Sequence, residues 1–204
     1  MRNLLFSLIF FSSIGIVAAA EQAPDALARG VTDEVLQIVR SDKDLKAGDV
    51  RKARELIESK IAPHFNFASM TKLAMGKHWG AASPDQRKQL TQEFRALLVQ
   101  TYTASVTLYK DQTIEYRPLK MAPGDTDVLV RSLVKNPGGG EPVKIDYGME
   151  KTDSGWKVYN VKVADVSLVE SYRGSFNSEI SKNGVDGLIK TLRDKNRALL
   201  AQAK

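Results

Sequence analysis

An α+β architecture, helices packed on a curved four-stranded antiparallel sheet, is expected from three features of this 204-residue chain. Apolar residues recur at helical spacing through the first half, alternate with polar ones between residues 113 and 163, and return to helical spacing to the end. A composition of 43% hydrophobic and 26% charged residues is that of an ordinary globular chain, too short for two full-sized domains. No internal repeat interrupts this order.

The first 20 residues stand apart. Arg2 precedes an apolar run from Leu4 to Val17, and Ala18-Ala19-Ala20 fits a small-residue cleavage site before Glu21. We read residues 1–20 as a cleavable signal peptide and 21–204 as one domain, because the apolar run is short against the ~20 residues a spanning helix needs. An exported chain is thereby expected, and processing removes only Arg2 from a formal charge of +6. The absence of cysteine excludes disulfides, thiolate metal sites, a cysteine nucleophile and a lipidated N-terminal cysteine.

Along the remaining chain, Leu27, Val31, Val35 and Ile38/Val39 mark one helix. Val50, Ala53, Ile57 and Ile61 mark a second that ends at Pro63, and residues 68–75 form a third that stops at Gly76. Ser83-Pro84-Asp85-Gln86 combines an N-cap, a first-turn proline, an acid at the positive dipole end and a capping-box glutamine. The long helix that follows carries Leu90, Phe94, Leu97/Leu98, Tyr102 and Tyr109 on one face. Strands are expected at 113–118, 127–135, 143–150 and 156–163. The third is the cleanest, with Val143, Ile145, Tyr147 and Met149 alternating against Lys144, Asp146, Gly148 and Glu150. Asn136-Pro137-Gly138-Gly139-Gly140 and Asp153-Ser154-Gly155 supply turns. Ser167 and Glu170 form a second capping box, and a late helix breaks at Asn183-Gly184 before a final one begins at Val185.

Several kinds of chemistry lack their residues. His64 and His78 have no carboxylates at ligand spacing, so no metal site is expected. No G-x-S-x-G elbow or Walker motif occurs, and the glycine triplet lacks the Lys-Ser/Thr of a phosphate loop. Asp146 and Asp165 are the residues on which a small curved-sheet enzyme would depend, with solvated carboxylates as the bland alternative. Asp42/Asp44 and Asp125/Asp127 read as solvated turn residues. The basic residues are dispersed and not interleaved with aromatics, so no nucleic-acid partner is expected.

The segments Leu73-Ala74-Met75-Gly76-Lys77-His78-Trp79, Ser83-Pro84-Asp85-Gln86-Arg87, Pro142-Val143-Lys144-Ile145-Asp146-Tyr147, Trp156-Lys157-Val158-Tyr159-Asn160-Val161, Val166-Ser167-Leu168-Val169-Glu170-Ser171-Tyr172-Arg173 and Gly184-Val185-Asp186-Gly187-Leu188-Ile189 together resemble the MlaC family. These are the toluene-tolerance group of periplasmic phospholipid carriers. The chain departs from the pattern at Asn160, where the family shows Asp, and at Asp165, where it shows Gly. The resemblance implies a fold distantly like nuclear transport factor 2, with acyl chains buried between helices and sheet. It also implies a periplasmic shuttle between an outer-membrane lipoprotein/porin complex and an inner-membrane ABC-transporter complex that maintains outer-membrane lipid asymmetry. On this reading the protein is not an enzyme and needs no cofactor; phospholipid is its cargo.

A phospholipid with about 30 methylene groups, at about 0.8 kcal/mol each, faces a penalty on the order of 20 kcal/mol in water, so a carrier must enclose its tails. The expected cavity wall comprises Phe94, Leu97, Leu98, Tyr102 and Tyr109 of the long helix and Val128, Val130, Tyr147 and Met149 of the sheet. Val166, Val169, Tyr172, Phe176, Ile180 and Leu188 complete it from the late helices. Each of these positions also fits plain core packing. Lys77, Lys144 and Arg173 are the candidate head-group or partner contacts, with ordinary solvated charge as the alternative. A monomer is expected, since the mouth must dock in turn to two complexes.

Overall fold

The computed structural model describes residues 22–109 and 111–202; the expected signal peptide lies outside them. The N-terminal helix α1 (Pro24–Ser41) has a proline in its first turn and Asp25 near the positive end of its dipole. Asp42 then caps a single turn, α2 (Lys43–Lys46), accepting from the amides of Asp44 and Leu45. Its carboxylate also pairs with Lys52 at 2.9 Å, so Asp42 and Asp44 tie two helices together and are more than solvated turn residues.

The helix expected to end at Pro63 changes pitch on the way. Regular α-helix α3 (Val50–Leu56) opens into a π turn (Ile57–Ile61) and closes with a 3-10 turn (Ala62–His64). Pro63 lacks an amide proton and its ring crowds the preceding turn, which accounts for the loss of regular α geometry. Asn66 caps α4 (Phe67–Met75) by accepting from the Ser69 amide, and Gly76 ends it at φ 53°. A 3-10 turn (Gly76–Trp79) leads to α5 (Pro84–Thr107), where the Ser83/Gln86 capping box forms in both directions.

The sheet is a curved, unclosed antiparallel meander of β1 (Thr113–Tyr116), β2 (Asp127–Lys135), β3 (Val143–Thr152), β4 (Gly155–Val163) and β5 (Val166–Ser167), in sequential order. The register places Val128, Val130, Ser132 and Val134 opposite Met149, Tyr147, Ile145 and Val143, so these residues share one face. In β4, Met149 is opposite Val158 while Gly148 is opposite Asn160, making Tyr159 the extra residue of a bulge. The bulge lets Val158 and Val161 both serve the shared face despite their odd spacing.

The fifth strand was not among the four expected. Ser167 lies at its end, and its hydroxyl does three things: it donates to Asn160 Oδ1 at 2.7 Å and accepts from the amides of Val169 and Glu170. The expected cap therefore exists, but it heads a 3-10 turn (Glu170–Tyr172) before α6 (Arg173–Gln202). Glu170 turns to Arg173 (3.0 Å), leaving the reciprocal half of the box unformed. α6 breaks at Gly184 (φ 70°, ψ −176°), where the sequence signals a break.

Two cores result. Helices α4, α5 and α6 bury Leu90, Phe94, Leu97, Val169, Phe176 and Leu188 against one another. The sheet buries Tyr116, Val128, Val130, Met149, Trp156 and Val158. Phe65 packs against both and joins them, held to β4 by the Asn66 amide donating to the Val158 carbonyl at 2.8 Å.

Candidate functional site: an apolar cavity beneath the first helix

An apolar cavity of about 180 Å³ lies between α1 and the inner face of the sheet. Its roof is the α1 stripe Leu27, Val31, Val35, Leu36 and Val39, and its floor is Ile114, Tyr147, Met149 and Val158. Ile61, His64 and Phe65 close one side, and Val106 and Tyr109, at and just beyond the end of α5, close another. The loosened turns around Pro63 thus deliver three side chains to the cavity. Leu27, Val31 and Val35 remain only half-buried, because beneath them is a void in place of packed atoms.

Hydroxyl groups meet under α1. Tyr116 Oη lies 2.8 Å from Thr32 Oγ1 and 3.1 Å from the Ala28 carbonyl. The Tyr147 phenol joins Ser132 and Thr32, and Ser132 donates to the Ile145 carbonyl at 2.8 Å. These buried hydroxyls satisfy one another, which is the condition for polar atoms in an apolar wall. Burial pushes the Tyr147, Tyr109 and Tyr116 phenols above their ordinary pKa, so all three stay neutral. His64 shifts the other way: burial first, then the nearby Lys157 ammonium, hold its imidazole below the ordinary value, opposed by Glu34. Among the described lining residues, His64 alone carries an ionisable nitrogen.

Around its edge α1 is attached by polar contacts. Arg29 stacks over the Tyr116 ring at 4.7 Å, Glu34 pairs with Lys60 at 2.6 Å, and Arg40 donates to the Gln112 carbonyl at 2.6 Å. The helix is a cover with an apolar underside and a polar perimeter.

Three of the fifteen expected wall residues, Tyr109, Tyr147 and Met149, line this cavity. Val128 and Val130 lie on the same sheet face but pack into its core. Phe94, Leu97, Leu98, Val169, Phe176 and Leu188 are buried in the helical core, with Tyr102, Tyr172 and Ile180 packed against it. That core is solid: Phe94, Tyr172 and Phe176 meet at ring separations of 5.1–5.7 Å. Burial beside Tyr172 pushes the Tyr102 phenol up to about 12. Val166 stands 62% exposed at the sheet edge, because two-residue β5 has no element above it.

The three cations lie away from the cavity. Lys77 is exposed in the turn after α4, and Lys144 pairs with Asp165 at 3.2 Å. Arg173 spans Gly76 to donate to the Leu73 carbonyl at 3.0 Å, pinning α6 to the end of α4. Asp146 lies on the opposite sheet face, between its register partners Arg131 and Lys162, and Asp165 occupies the β4–β5 hairpin. Among the described residues no three His, Asp or Glu side chains group as a metal site, and no helix is long and apolar enough to cross a membrane. What the sequence reading passed over was α1 itself. Its i, i+4 stripe from Leu27 to Val39 was legible, but a stripe does not say whether it meets atoms or a void.

The profile of the family described as MlaC protein matches residues 29–194, most of the chain. The chain belongs to the MlaC family. Among similar MlaC-family proteins, the intermembrane phospholipid transport system binding protein MlaC of Haemophilus influenzae is 23% identical over 174 residues, 84% of this chain and 81% of that one. Toluene tolerance protein ttg2D of Pseudomonas putida is 25% identical over 180 residues, 88% of this chain and 83% of that one. A solved phospholipid-binding protein from Ralstonia solanacearum, in complex with a phospholipid, is 39% identical and superposes with a TM-score of 0.78 over 86% of this chain and 98% of that one. The fold is thus shared with that solved phospholipid-binding protein.

Proposed function

We propose that this protein is a periplasmic phospholipid carrier that buries acyl chains in the cavity beneath α1. The observation that carries the reading is the cavity itself, roofed and floored largely by apolar side chains, in a chain whose 39%-identical structural relative is in complex with a phospholipid. Burial of methylene groups at about 0.8 kcal/mol each supplies the affinity, and the hydroxyl cluster stays neutral throughout. At about 180 Å³ the cavity is below the roughly 300–1,000 Å³ typical of small-molecule clefts. Two acyl chains therefore require α1 to move outward, exchanging its rim contacts for contacts with cargo. The family reading adds docking to an outer-membrane lipoprotein/porin complex and an inner-membrane ABC-transporter complex. With no nucleotide motif in the chain, energy for directed transfer comes from those partners. A partner opens the cavity by binding the open form more tightly than the closed one.

The test is detergent-free purification from the periplasm followed by native and denaturing mass spectrometry. Stoichiometric phospholipid is expected, and Val31→Trp, which fills the cavity from its roof, should reduce bound lipid at least tenfold with the fold intact by circular dichroism. A lipid-free wild-type protein overturns the reading.

A further inference from the structure

Resting on the carrier reading, we propose that the uncovered apolar strip Val143, Ile145, Val163 and Val166 is where the second acyl chain of a two-chain lipid lies, so that this end of the sheet selects diacyl over monoacyl cargo. The strip continues the cavity floor. Ile145 and Val143 follow the floor residues Met149 and Tyr147 at two-residue spacing along β3. Ile145 is directly opposite Val163, and Val163 is directly opposite Val166, so all four share the cavity's face of the sheet. The charged residues that alternate with them, Lys144, Asp146 and Lys162, belong to the other face.

Exposure rises along this face with distance from the cavity. Met149 and Val158 are buried, Ile145 and Val163 half-buried, Val143 37% exposed and Val166 62% exposed. A sheet face that meets only water takes polar residues, whereas this one stays aliphatic to its end. The β4–β5 hairpin lengthens it by one position. Ala164 and Asp165 turn at φ 49° and 66°, an unfavourable conformation whose result is to set Val166 beside Val163. Four aliphatic side chains suit a hydrocarbon and give a head group nothing to hold. The cavity of about 180 Å³ leaves a second chain without cover, and the outward movement of α1 that admits it joins cavity and strip over one continuous floor.

Competitive loading tests it. Delipidated mature protein is incubated with phosphatidylglycerol vesicles doped with lysophosphatidylglycerol of the same acyl chain, re-isolated, and its bound lipids quantified against the vesicle composition. The wild type should be enriched in the diacyl lipid. The triple variant Val143→Thr, Val163→Thr, Val166→Thr keeps β-branched side chains but sets hydroxyls against the chain, and should lower the diacyl-to-monoacyl ratio about tenfold. Val166→Thr alone, at the most exposed position, guards against a folding defect and should lower the ratio about twofold. An unchanged ratio in both variants, with lipid still bound, overturns this inference and leaves the carrier reading standing. An equal fall in both lipids also overturns it, because the strip would then be shaping the cavity. A wild type that is dimeric without lipid and monomeric as the triple variant overturns it in favour of a second copy of the chain as occupant. Wild-type protein that loads neither lipid overturns the carrier reading itself.

Discussion

At the residue scale, two side chains report their surroundings through measurable energies. Ala164 and Asp165 turn the β4–β5 hairpin at φ 49° and 66°, a conformation that costs an L-residue roughly 1–2 kcal/mol and that glycine adopts freely. The Lys144–Asp165 pair offers little in return, since both side chains are mostly exposed. Asp165→Gly, which relieves the positive φ, should raise stability by about 0.5–1 kcal/mol and the melting temperature by a few degrees. His64 sets a pH dependence. Its folded-state pKa lies below its unfolded value, so the unfolded chain binds the proton first as pH falls, and stability declines below about pH 6.5. Urea denaturation of the wild type should show stability rising from pH 5 to pH 7, and His64→Gln should flatten that rise.

At the element scale, the chain shows how departures from regular geometry build the site. The π turn and the 3-10 turn around Pro63 bring Ile61, His64 and the following Phe65 to the cavity, and the Tyr159 bulge keeps Val158 on the cavity face. The break in α6 is as specific. A Cβ on Gly187 would meet Asn183 Cβ at 2.3 Å, so the two halves of α6 approach too closely for any larger residue. Gly187→Ala should destabilise by roughly 1–3 kcal/mol, read as a lower urea midpoint with unchanged slope, because relief requires moving one half against the other. The helices were legible in the sequence because each carries its own punctuation: Ser83-Pro84-Asp85-Gln86 opens α5, Gly76 closes α4, and Asn183-Gly184 interrupts α6. β5 was not, since a two-residue strand has no period and exists only by pairing with Lys162 and Val163.

At the scale of the whole molecule, the protein divides labour between a solid helical core and a hollow beneath α1. The buried rings of Phe94 and Phe176 hold α5 and α6 fixed, while α1 is anchored at its end by Val39 among Leu45, Ala53 and Leu56 and is held over the cavity by its rim contacts with the sheet and the π turn. Cargo that binds only the folded state stabilises it by mass action, about 2.7 kcal/mol at a free concentration one hundred times Kd. Solvent-delipidated and refolded protein should therefore melt several degrees below protein purified with its lipid, and reloading should restore the difference. Equal melting temperatures would mean that the cavity holds no ligand in the purified protein.

The sequence by itself determined the α+β order of elements, the long capped helix, the face of the third strand and, through dispersed family-like segments, the MlaC relationship. These are local or linear properties: a period, a cap or a motif is complete within a few residues of chain. Only the tertiary structure decided which apolar stripe stands over empty space. Leu97 on α5 and Val35 on α1 are equivalent as sequence, each an aliphatic residue on an amphipathic helix. One is 1% exposed in a packed core and the other roofs a cavity. That difference depends on which other elements arrive above and below, and burial is a property of the assembled layers, which helical periodicity does not record.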